Sequence, residues 1–391
     1  MTTESSQKDL KRRHESLVFH LIRKRAPLSR VELAAESGLS AQTITNIVRR
    51  LMDAGIVAEV GAASSGHVGR SPVNLDLIGE GAYAFGFCIE RDQLSHVLIN
   101  VKGDIIDSRS EAIDSCELPE DAVGRMAAYA QSVMGCSEYA PIRDSIVGAG
   151  IAAPGPVDLE RGEVIAPPNF ANWPRVPLRA ALERELHMPV VMGNSSTMAA
   201  IGEQWRGRWD DSFLYVHWGL GIGGGLVHND TVYRGQSGNE IELGHMVIER
   251  NGRRCGCGGY GCLEAYASVP AILEEAAAYG YATLDNLAAA ASTDTIAHHL
   301  LARAADAVAN CLVSAVNLLD VNMIVLGGRH VPALEPTVVP IIREYVNTRC
   351  IRSGVAPVRV AVSPLGEQAG AIGAASQVFH EGLLAHVFPT S

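Results

Sequence analysis

Apolar residues recur at helical spacing through the first part of the chain and predict three helices. The first helix covers residues 10–25 and stops before Pro27, because proline cannot continue a helix. Ser29 and Glu32 form a capping-box signature at the start of the second helix. A glycine turn then leads into the third helix, over about residues 41–54. A short helix, a tight turn and another helix are the pattern of a helix-turn-helix.

Two strand-like stretches after the third helix predict a wing. Residues 56–60 and 73–77 read as strands around a loop rich in glycine and serine. A winged helix-turn-helix over residues 10–78 would place the polar face of its third helix against DNA, whereas an ordinary three-helix bundle would leave that face solvated. The predicted DNA contacts are Ser40, Gln42, Thr43, Thr45, Asn46, Arg49 and Arg50 at the third helix, and Arg70 in the wing.

Beyond residue 82 the pattern changes to buried strands that alternate with helices, which is typical of an α/β fold. Strands are predicted within residues 84–92, 93–106 and 145–157, with a helix between the last two. A buried strand at 190–195 leads into another helix, and alanine-rich helices follow. The remainder of the chain is therefore expected to be a mixed α/β body.

The composition is that of an ordinary globular protein, with 47% hydrophobic and 19% charged residues among 391. No apolar run approaches about 18 residues, so no membrane span is expected, and the polar N-terminus lacks the apolar core of a signal peptide. Eight cysteines, three of them clustered, fit a reducing compartment, so a cytoplasmic location is expected.

The charge of the chain is divided unevenly. The net charge is −11, but residues 1–80 carry eleven Lys/Arg against nine Asp/Glu, a net of +2, and the remainder carries −13. A mildly basic head on an acidic body allows the head alone to contact DNA.

One histidine and three cysteines within eighteen positions predict a metal site. They are His245, Cys255, Cys257 and Cys262. One imidazole and three thiols satisfy a tetrahedral structural Zn²⁺ with no open position. Buried or disulfide-forming cysteines beside an unrelated histidine are the alternative, but an odd number of closely spaced thiols favours a metal. Glu242 and Glu264 bracket the cluster, and a metal that orders the loop would also fix these carboxylates for ligand binding.

The same stretch resembles a known family. Its runs G-x-S-G-N-x-x-E-L-G-H (residues 235–245) and C-G-C-G-x-x-G-C-L-E-A-Y-A-S (residues 255–268) are similar to those of the ROK family of repressors, open reading frames and sugar kinases. The resemblance covers nearly the whole chain. It implies an actin-like, sugar-kinase-type domain with two lobes of ribonuclease H-like fold and a hexose bound beside the zinc loop.

With the head included, the resemblance implies two domains: a winged helix-turn-helix over residues 1–80 and a ligand-binding domain over 81–391. Within the second domain we expect a smaller lobe of about 81–192, joined by the C-terminal helix, and a larger lobe of about 193–370. The run G-R-S-P at residues 69–72 resembles a GGRP-like element of the family's regulators, which favours DNA binding by the head.

Three stretches depart from the family's kinases. Residues 88–92 replace a D-x-G-G-T phosphate loop and lose both glycines, and Glu90 places negative charge where a phosphate would lie. Ser195 stands where the kinases carry the aspartate that deprotonates the sugar, and a serine hydroxyl cannot do this unassisted. Arg329 and His330 follow a strand where small residues are usual on the adenosine side. The chain is therefore not expected to be an enzyme.

Other positions match the family and predict a sugar site. For the loop 166–178, which resembles the family's substrate loop, a surface loop that merely packs Trp173 is an equal alternative. The predicted ligand-binding residues are Gly155, Asn169, Asn194, Ser195, Glu242, His245 and Glu264.

Together these features predict a sequence-specific transcriptional regulator, a repressor of carbohydrate metabolism or transport genes, that binds operator DNA and responds to a sugar. Loss of the carboxylate at position 195 would also permit a sugar phosphate. The resemblance implies a homodimer or homotetramer. Two alternatives stay open: an ATP-dependent hexose kinase with an appended DNA-binding domain, and a constitutive DNA-binding protein with a vestigial pocket.

Overall fold

The computed structural model describes residues 3–62, 73–114, 116–207, 209–351, 354–383 and 387. The wing loop with Arg70, a predicted DNA contact, lies outside these residues. The helices are α1 (Thr3–Arg25), α2 (Arg30–Ser37), α3 (Ala41–Asp53), α4 (Pro119–Gly135), α5 (Leu178–Leu186), α6 (Ser195–Arg206), α7 (Glu264–Ala267), α8 (Val269–Ala276), α9 (Leu284–Ala290), α10 (Thr295–Leu319), α11 (Val331–Arg349) and α12 (Ala369–Val378).

The strands form four sheets. They are β1 (Leu28–Ser29), β2 (Val57–Ala62), β3 (Val73–Leu77), β4 (Tyr83–Ile89), β5 (Gln93–Asn100), β6 (Ile105–Ala112), β7 (Ile146–Ala153), β8 (Val157–Asp158), β9 (Glu163–Ile165), β10 (Arg175–Val176), β11 (Val190–Asn194), β12 (Phe213–Trp218), β13 (Ile222–His228), β14 (Thr231–Val232), β15 (Met323–Gly327) and β16 (Arg359–Val362). Short 3₁₀ helices occupy Gly79–Gly81, Ser137–Ser145, Leu243–His245, Ala277–Tyr279 and Gly366–Gln368, and a π-helical turn, Phe379–Leu383, follows α12.

The head is a winged helix-turn-helix. The capping box is confirmed at the start of α2, where the backbone N–H of Ser29 donates to Glu32 Oε2 at 2.7 Å and the Ser29 side chain accepts from the Glu32 backbone. The strands β1, β3 and β2 form an antiparallel sheet beside the helices. The apolar side of α3 is buried, as its 3.6-residue period predicts. Its buried residues are Ile44, Ile47, Val48 and Leu51.

The body consists of two lobes with the same strand topology. The first-lobe sheet has the order β11-β7-β4-β5-β6 and the second-lobe sheet the order β14-β13-β12-β15-β16. In each lobe three consecutive antiparallel strands are followed by two parallel strands that pair on the other side of the first. This duplicated order, 3-2-1-4-5 within each lobe, agrees with the predicted ribonuclease H-like architecture.

Two helices cross between the lobes. Helix α6 leaves the first-lobe sheet and packs on β12 and β13, while α12 leaves the second lobe and packs on β4, β7 and α6. Glycines make this close approach possible: a Cβ at Gly373 would lie 1.6 Å from the Met198 carbonyl oxygen, and one at Gly150 would lie 2.0 Å from that of Ala374. A side chain at these positions would push α12 away from α6 or from β7.

The head packs against the first lobe and the crossing helices. Val18, Phe19 and Ile22 of α1 belong to one apolar cluster with Trp205 and Phe379. Adjoining polar contacts include the ion pairs of Lys24 with Asp211, just before β12, and Asp230, just after β13. Because the head and the body share one apolar core, the domain boundary at residue 80 stays a prediction. The boundaries predicted for the two lobes also stay predictions.

The helix α10 is long and apolar enough to cross a membrane by length and composition alone. In the structure, however, 56% of its most apolar window is buried, and it packs against α11. It therefore has the surroundings of a core helix.

Candidate functional site

A cavity of about 130 Å³ lies between the two lobes, and it brings together residues that are far apart in the sequence. Of the seven predicted ligand-binding residues, six line this cavity. They are Gly155, Asn194, Ser195, Glu242, His245 and Glu264. Asn169, the seventh, lies between the lining residues Pro168 and Phe170.

The first lobe contributes the carboxyl ends of β7 and β11. A cis Gly155–Pro156 peptide turns the chain after β7, and Asn239 of the second lobe holds this turn by accepting from the Val157 N–H at 2.6 Å. A Cβ at Gly155 would lie 2.6 Å from Asn194 Nδ2, so only glycine leaves room for that amide. Asn194 caps α6, its side-chain oxygen accepting from the Ser196 N–H at 3.0 Å. Its amide is therefore held in one orientation.

A buried carboxylate that the sequence patterns did not single out also lines the cavity. Glu240 is 8% exposed, and its Oε1 accepts from the Thr197 hydroxyl at 2.6 Å. Its Oε2 is buried and has no hydrogen-bond partner among the described residues. Such an oxygen in a cavity can accept a hydrogen bond from a ligand hydroxyl. The spacing of Glu240 and Glu242, two positions apart before the metal loop, was the signal available in the sequence.

The two predicted glutamates differ in their surroundings. Glu264 is buried, and its Oε2 accepts from the Ile222 N–H at 3.0 Å. The Glu242 side chain is exposed in the cleft, and the Glu242 backbone carbonyl accepts from the His245 N–H at 3.1 Å. Partial desolvation in the cleft, together with the negative charges of Glu264 and Glu240, raises the pKa of Glu242. A ligand that donates hydroxyl protons to these carboxylates would relieve their mutual repulsion.

Arg91 closes the cavity on the side of the β4–β5 turn. Its Nη1 donates to the Leu220 carbonyl oxygen at 2.7 Å and its Nη2 donates to Glu264 Oε1 at 3.2 Å. With its amide oxygen turned toward the guanidinium, Asn169 accepts from both Arg91 nitrogens, at 3.2 and 3.0 Å. The sequence had marked Arg91 only as part of a lost phosphate loop and had assigned Asn169 to the sugar.

The four predicted metal ligands, His245, Cys255, Cys257 and Cys262, lie together at one side of this cavity. Their ligand atoms all lie within 4.8 Å of one another. His245 Nδ1 is 3.7 Å from Cys255 Sγ, and Cys257 Sγ is 3.8 Å from Cys262 Sγ. Tetrahedral Zn²⁺ with Zn–S bonds of about 2.3 Å separates its sulfurs by about 3.8 Å, whereas a disulfide requires about 2.05 Å. The cluster therefore fits a metal ion and not a disulfide, and His245 keeps Nε2 for another partner.

On the head, α3 carries an exposed polar face. The Asn46 side-chain oxygen accepts from Gln42 Nε2 at 3.3 Å and from Arg49 Nη2 at 3.2 Å. Thr45 is exposed, while the Ser40 side chain caps the helix by accepting from the Thr43 N–H at 3.2 Å. Amide and guanidinium groups along the accessible face of such a helix are suited to contacts with base edges and phosphates.

Arg50 is placed differently from the other predicted DNA contacts. It pairs at 3.0 Å with Glu15 of α1, whose side chain is 4% exposed, and its Nη2 donates to the Val387 carbonyl oxygen at 3.3 Å. The pairing of this guanidinium connects α3 to α1 and to the C-terminal segment. This competes with the predicted phosphate contact.

The chain matches the ROK family over residues 117–381 and a winged helix-turn-helix DNA-binding family over residues 17–58. The xylose repressor of Bacillus subtilis (strain 168) is 31% identical over 274 residues, which cover 69% of each chain. The glucokinase of Thermotoga maritima is 35% identical over 246 residues, 58% of this chain and 77% of the other. Among solved structures, a ROK family transcriptional regulator described as a homolog of the E. coli MLC protein matches with a TM-score of 0.81 at 25% identity, covering 97% of this chain and 98% of that one.

Proposed function

We propose that this chain, which belongs to the ROK family, is a sugar-responsive transcriptional repressor of carbohydrate genes. Its head binds operator DNA and its interlobe cavity binds the sugar. The observation that carries the proposal is the presence, in one chain, of an exposed polar recognition helix and a cavity rich in hydrogen-bond acceptors. The name of the Bacillus subtilis relative, xylose repressor, supports both parts.

The sugar is proposed to be held by carboxylates, amide and imidazole. Glu240, Glu242 and Glu264 would accept its hydroxyl protons, and Asn194 would donate to a ring or hydroxyl oxygen. Three carboxylates at the site favour a free sugar over a sugar phosphate, because a phosphate would add negative charge beside them.

The metal is proposed to be a structural Zn²⁺ held by one imidazole and three thiolates. When bound it would supply a fixed anchor for the loop and no open coordination site for chemistry. The loop in turn fixes His245 and Glu264, which line the cavity.

Phosphoryl transfer is not part of the proposal, although the glucokinase of Thermotoga maritima is a relative. The side chain at the first position of α6 is Ser195, which has no accessible pKa for a general base at neutral pH. The guanidinium of Arg91, from the first lobe, lies in the cleft and donates to Leu220 and Glu264 of the second lobe. We propose a cytoplasmic regulator that acts as a homodimer or homotetramer, since two-fold operators match two-fold proteins.

The first experiment tests DNA and sugar together. Purified protein is mixed with fragmented genomic DNA of the source organism at moderate salt, and retained fragments are sequenced. We expect enrichment of a few sites that share an inverted repeat, and release of those sites by at least one sugar from a panel that includes D-xylose, D-glucose and their phosphates. Diffuse retention that disappears with added salt would contradict the proposal.

The matched variants are Glu242→Ala in the cavity and Glu274→Ala on the exposed face of α8. Glu242→Ala should bind the operator normally and need at least about tenfold more sugar for release, the cost of one lost charge-assisted hydrogen bond. Glu274→Ala should behave like the unmodified protein. Unchanged release in Glu242→Ala would show that the cavity is not the sensor.

A further inference from the structure

The turn between β4 and β5 connects the two lobes through the side chains of all three of its residues. Glu90 Oε1 lies 3.7 Å from Nε2 of His217. Arg91 donates to the second lobe at the Leu220 carbonyl and Glu264. Asp92 Oδ2 accepts from Nη1 of Arg329 at 3.1 Å. Each of the three consecutive side chains therefore has a partner on the opposite lobe.

The arginine in the centre of this turn is enclosed by protein. Its side chain is 22% exposed, and its guanidinium meets a carbonyl, a carboxylate and the amide of Asn169 from three separate segments. A planar guanidinium with several partners in fixed directions is more ordered than a flexible exposed ion pair. Arg91 therefore gives the cavity hydrogen-bond donors in fixed positions as well as a positive charge.

The consequence of this arrangement falls on Glu264. Arg91 donates to its Oε1 at 3.2 Å, and the Ile222 backbone N–H donates to its Oε2 at 3.0 Å. Each carboxylate oxygen keeps a free lone pair, so Glu264 can still accept a ligand hydroxyl. A carboxylate fixed at both oxygens loses little side-chain entropy when that ligand arrives.

We propose that Arg91 is a positioning residue of the effector site, and that the turn Glu90 to Asp92 is an interlobe latch that holds the lobes together without a nucleotide. The latch rests on the proposed function in one respect only, namely that the ligand of the cavity is a sugar. By keeping the sugar-competent arrangement of Glu264 populated before binding, the latch raises sugar affinity.

The decisive test uses the ligand-free, full-length protein. Exchange of the Ile222 amide hydrogen is a direct reporter, because this N–H donates to the carboxylate that Arg91 fixes. In Arg91→Met we expect this amide to exchange about tenfold faster, since a released carboxylate protects it less. The amides of β15, in the second-lobe core, should exchange at an unchanged rate and so exclude global unfolding.

A control variant and a charge-reversal pair complete the test. Arg359→Met removes an exposed arginine of the second lobe that pairs with Asp210. This control should leave the exchange rate of the Ile222 amide unchanged. Asp92→Arg and Arg329→Asp should each accelerate Ile222 exchange, about threefold, and the double variant should restore the original rate, because it re-forms the pair with reversed charges.

An unchanged Ile222 rate in Arg91→Met would overturn the role of Arg91, and a double variant as fast as the single ones would overturn the latch. Neither result depends on DNA or sugar binding, so failure here is distinct from failure of the proposed function.

Discussion

The two lobes contain topologically equivalent hairpin turns that meet across the cleft and differ in chemistry. In the first lobe the β4–β5 turn presents three charged side chains, Glu90, Arg91 and Asp92. In the second lobe the β12–β13 turn is Gly219-Leu220-Gly221. With two glycines, this turn leaves its backbone accessible to the side chains of neighbouring residues. The contact between Arg91 and the Leu220 carbonyl joins the two turns directly. The same turn position thus supplies the reaching side chain in one lobe and the receiving backbone in the other.

Position 221 of the second turn must lack a side chain for this contact to form. A Cβ at Gly221 would lie 2.9 Å from Glu264 Oε2 and 3.2 Å from Arg91 Nη2. A substitution there would push apart the groups that connect the lobes. Gly221 is thus explained by packing in this structure, without a bound phosphate.

Glu264 supports both turns. Its Oε2 accepts from the Ile222 N–H beside the second turn, its Oε1 accepts from Arg91 of the first turn, and it follows Cys262 of the predicted metal ligands by two residues. The first turn has two further contacts with the second lobe, Glu90 with His217 and Asp92 with Arg329. Loss of the metal should therefore loosen the second turn first.

The largest effect is expected from Cys262→Ser. With one thiolate lost, the cluster should no longer retain its metal, and the unfolding free energy should fall by at least about 3 kcal/mol, because metal-binding energy is folding energy in such loops. Metal content of the purified protein and urea unfolding measure the two effects.

Cys116→Ser is the matched control, since Cys116 is an exposed thiol in the first lobe outside the cluster. It should retain metal and stability. An unmodified protein that purifies without bound metal and is indifferent to chelators would contradict the zinc proposal.

A smaller effect is expected from Gly221→Val, which tests whether the turns are complementary. The added side chain should cost about 1–3 kcal/mol of unfolding free energy through overpacking against Glu264 and Arg91. Sugar-induced operator release should weaken in parallel, because Glu264 would be displaced from its present position.

Gly124→Ala provides the comparison, because a Cβ at this exposed position of α4 meets nothing within 4 Å. That change should stabilise the protein by about 0.5–1 kcal/mol, since alanine favours a helix over glycine. A Gly221→Val variant as stable as Gly124→Ala would mean that the two turns are not in close contact in solution.

Local patterns predicted the elements and much of the site. The capping box at Ser29 and Glu32 was visible because its parts are three residues apart, and the cysteines of the metal cluster because their spacing is short. Glu242 and Glu264 could be named from their position beside the cysteines, whereas Gly155, Asn169, Asn194 and Ser195 could be named only through the family resemblance.

What the patterns could not supply was pairing between distant charges. Arg91 and Glu264 are 173 positions apart, and no periodicity connects them. For the same reason Arg50 was assigned to phosphate, although its guanidinium lies against Glu15 of another helix. Charged residues carry little local structural preference, so their partners emerge only when the fold is known.

The smallest effect concerns the free energy of unfolding that is lost when partly buried Glu90 of the charged turn ionises. Burial raises the pKa of Glu90 above its ordinary value of 4.5, although His217 opposes this shift. A carboxyl whose folded pKa is raised gives stability that is full below the ordinary pKa and is lost as pH rises through the folded pKa. Glu90→Gln removes this loss, so we expect the stability difference between variant and unmodified protein to move in favour of the variant as the pH rises above 4.5.

Urea unfolding of both proteins at several pH values measures this difference, with Glu335→Gln on the exposed face of α11 as the control that should show none of it. The pairing between Glu90 and His217 is also lost in the variant, so the pH dependence reports the burial and the pairing of Glu90 together. A difference that moves in the opposite direction would mean that the pairing with His217 outweighs burial. The charged side chains of the first turn would then stabilise the first lobe, while Gly221 of the second turn allows the two turns to pack closely.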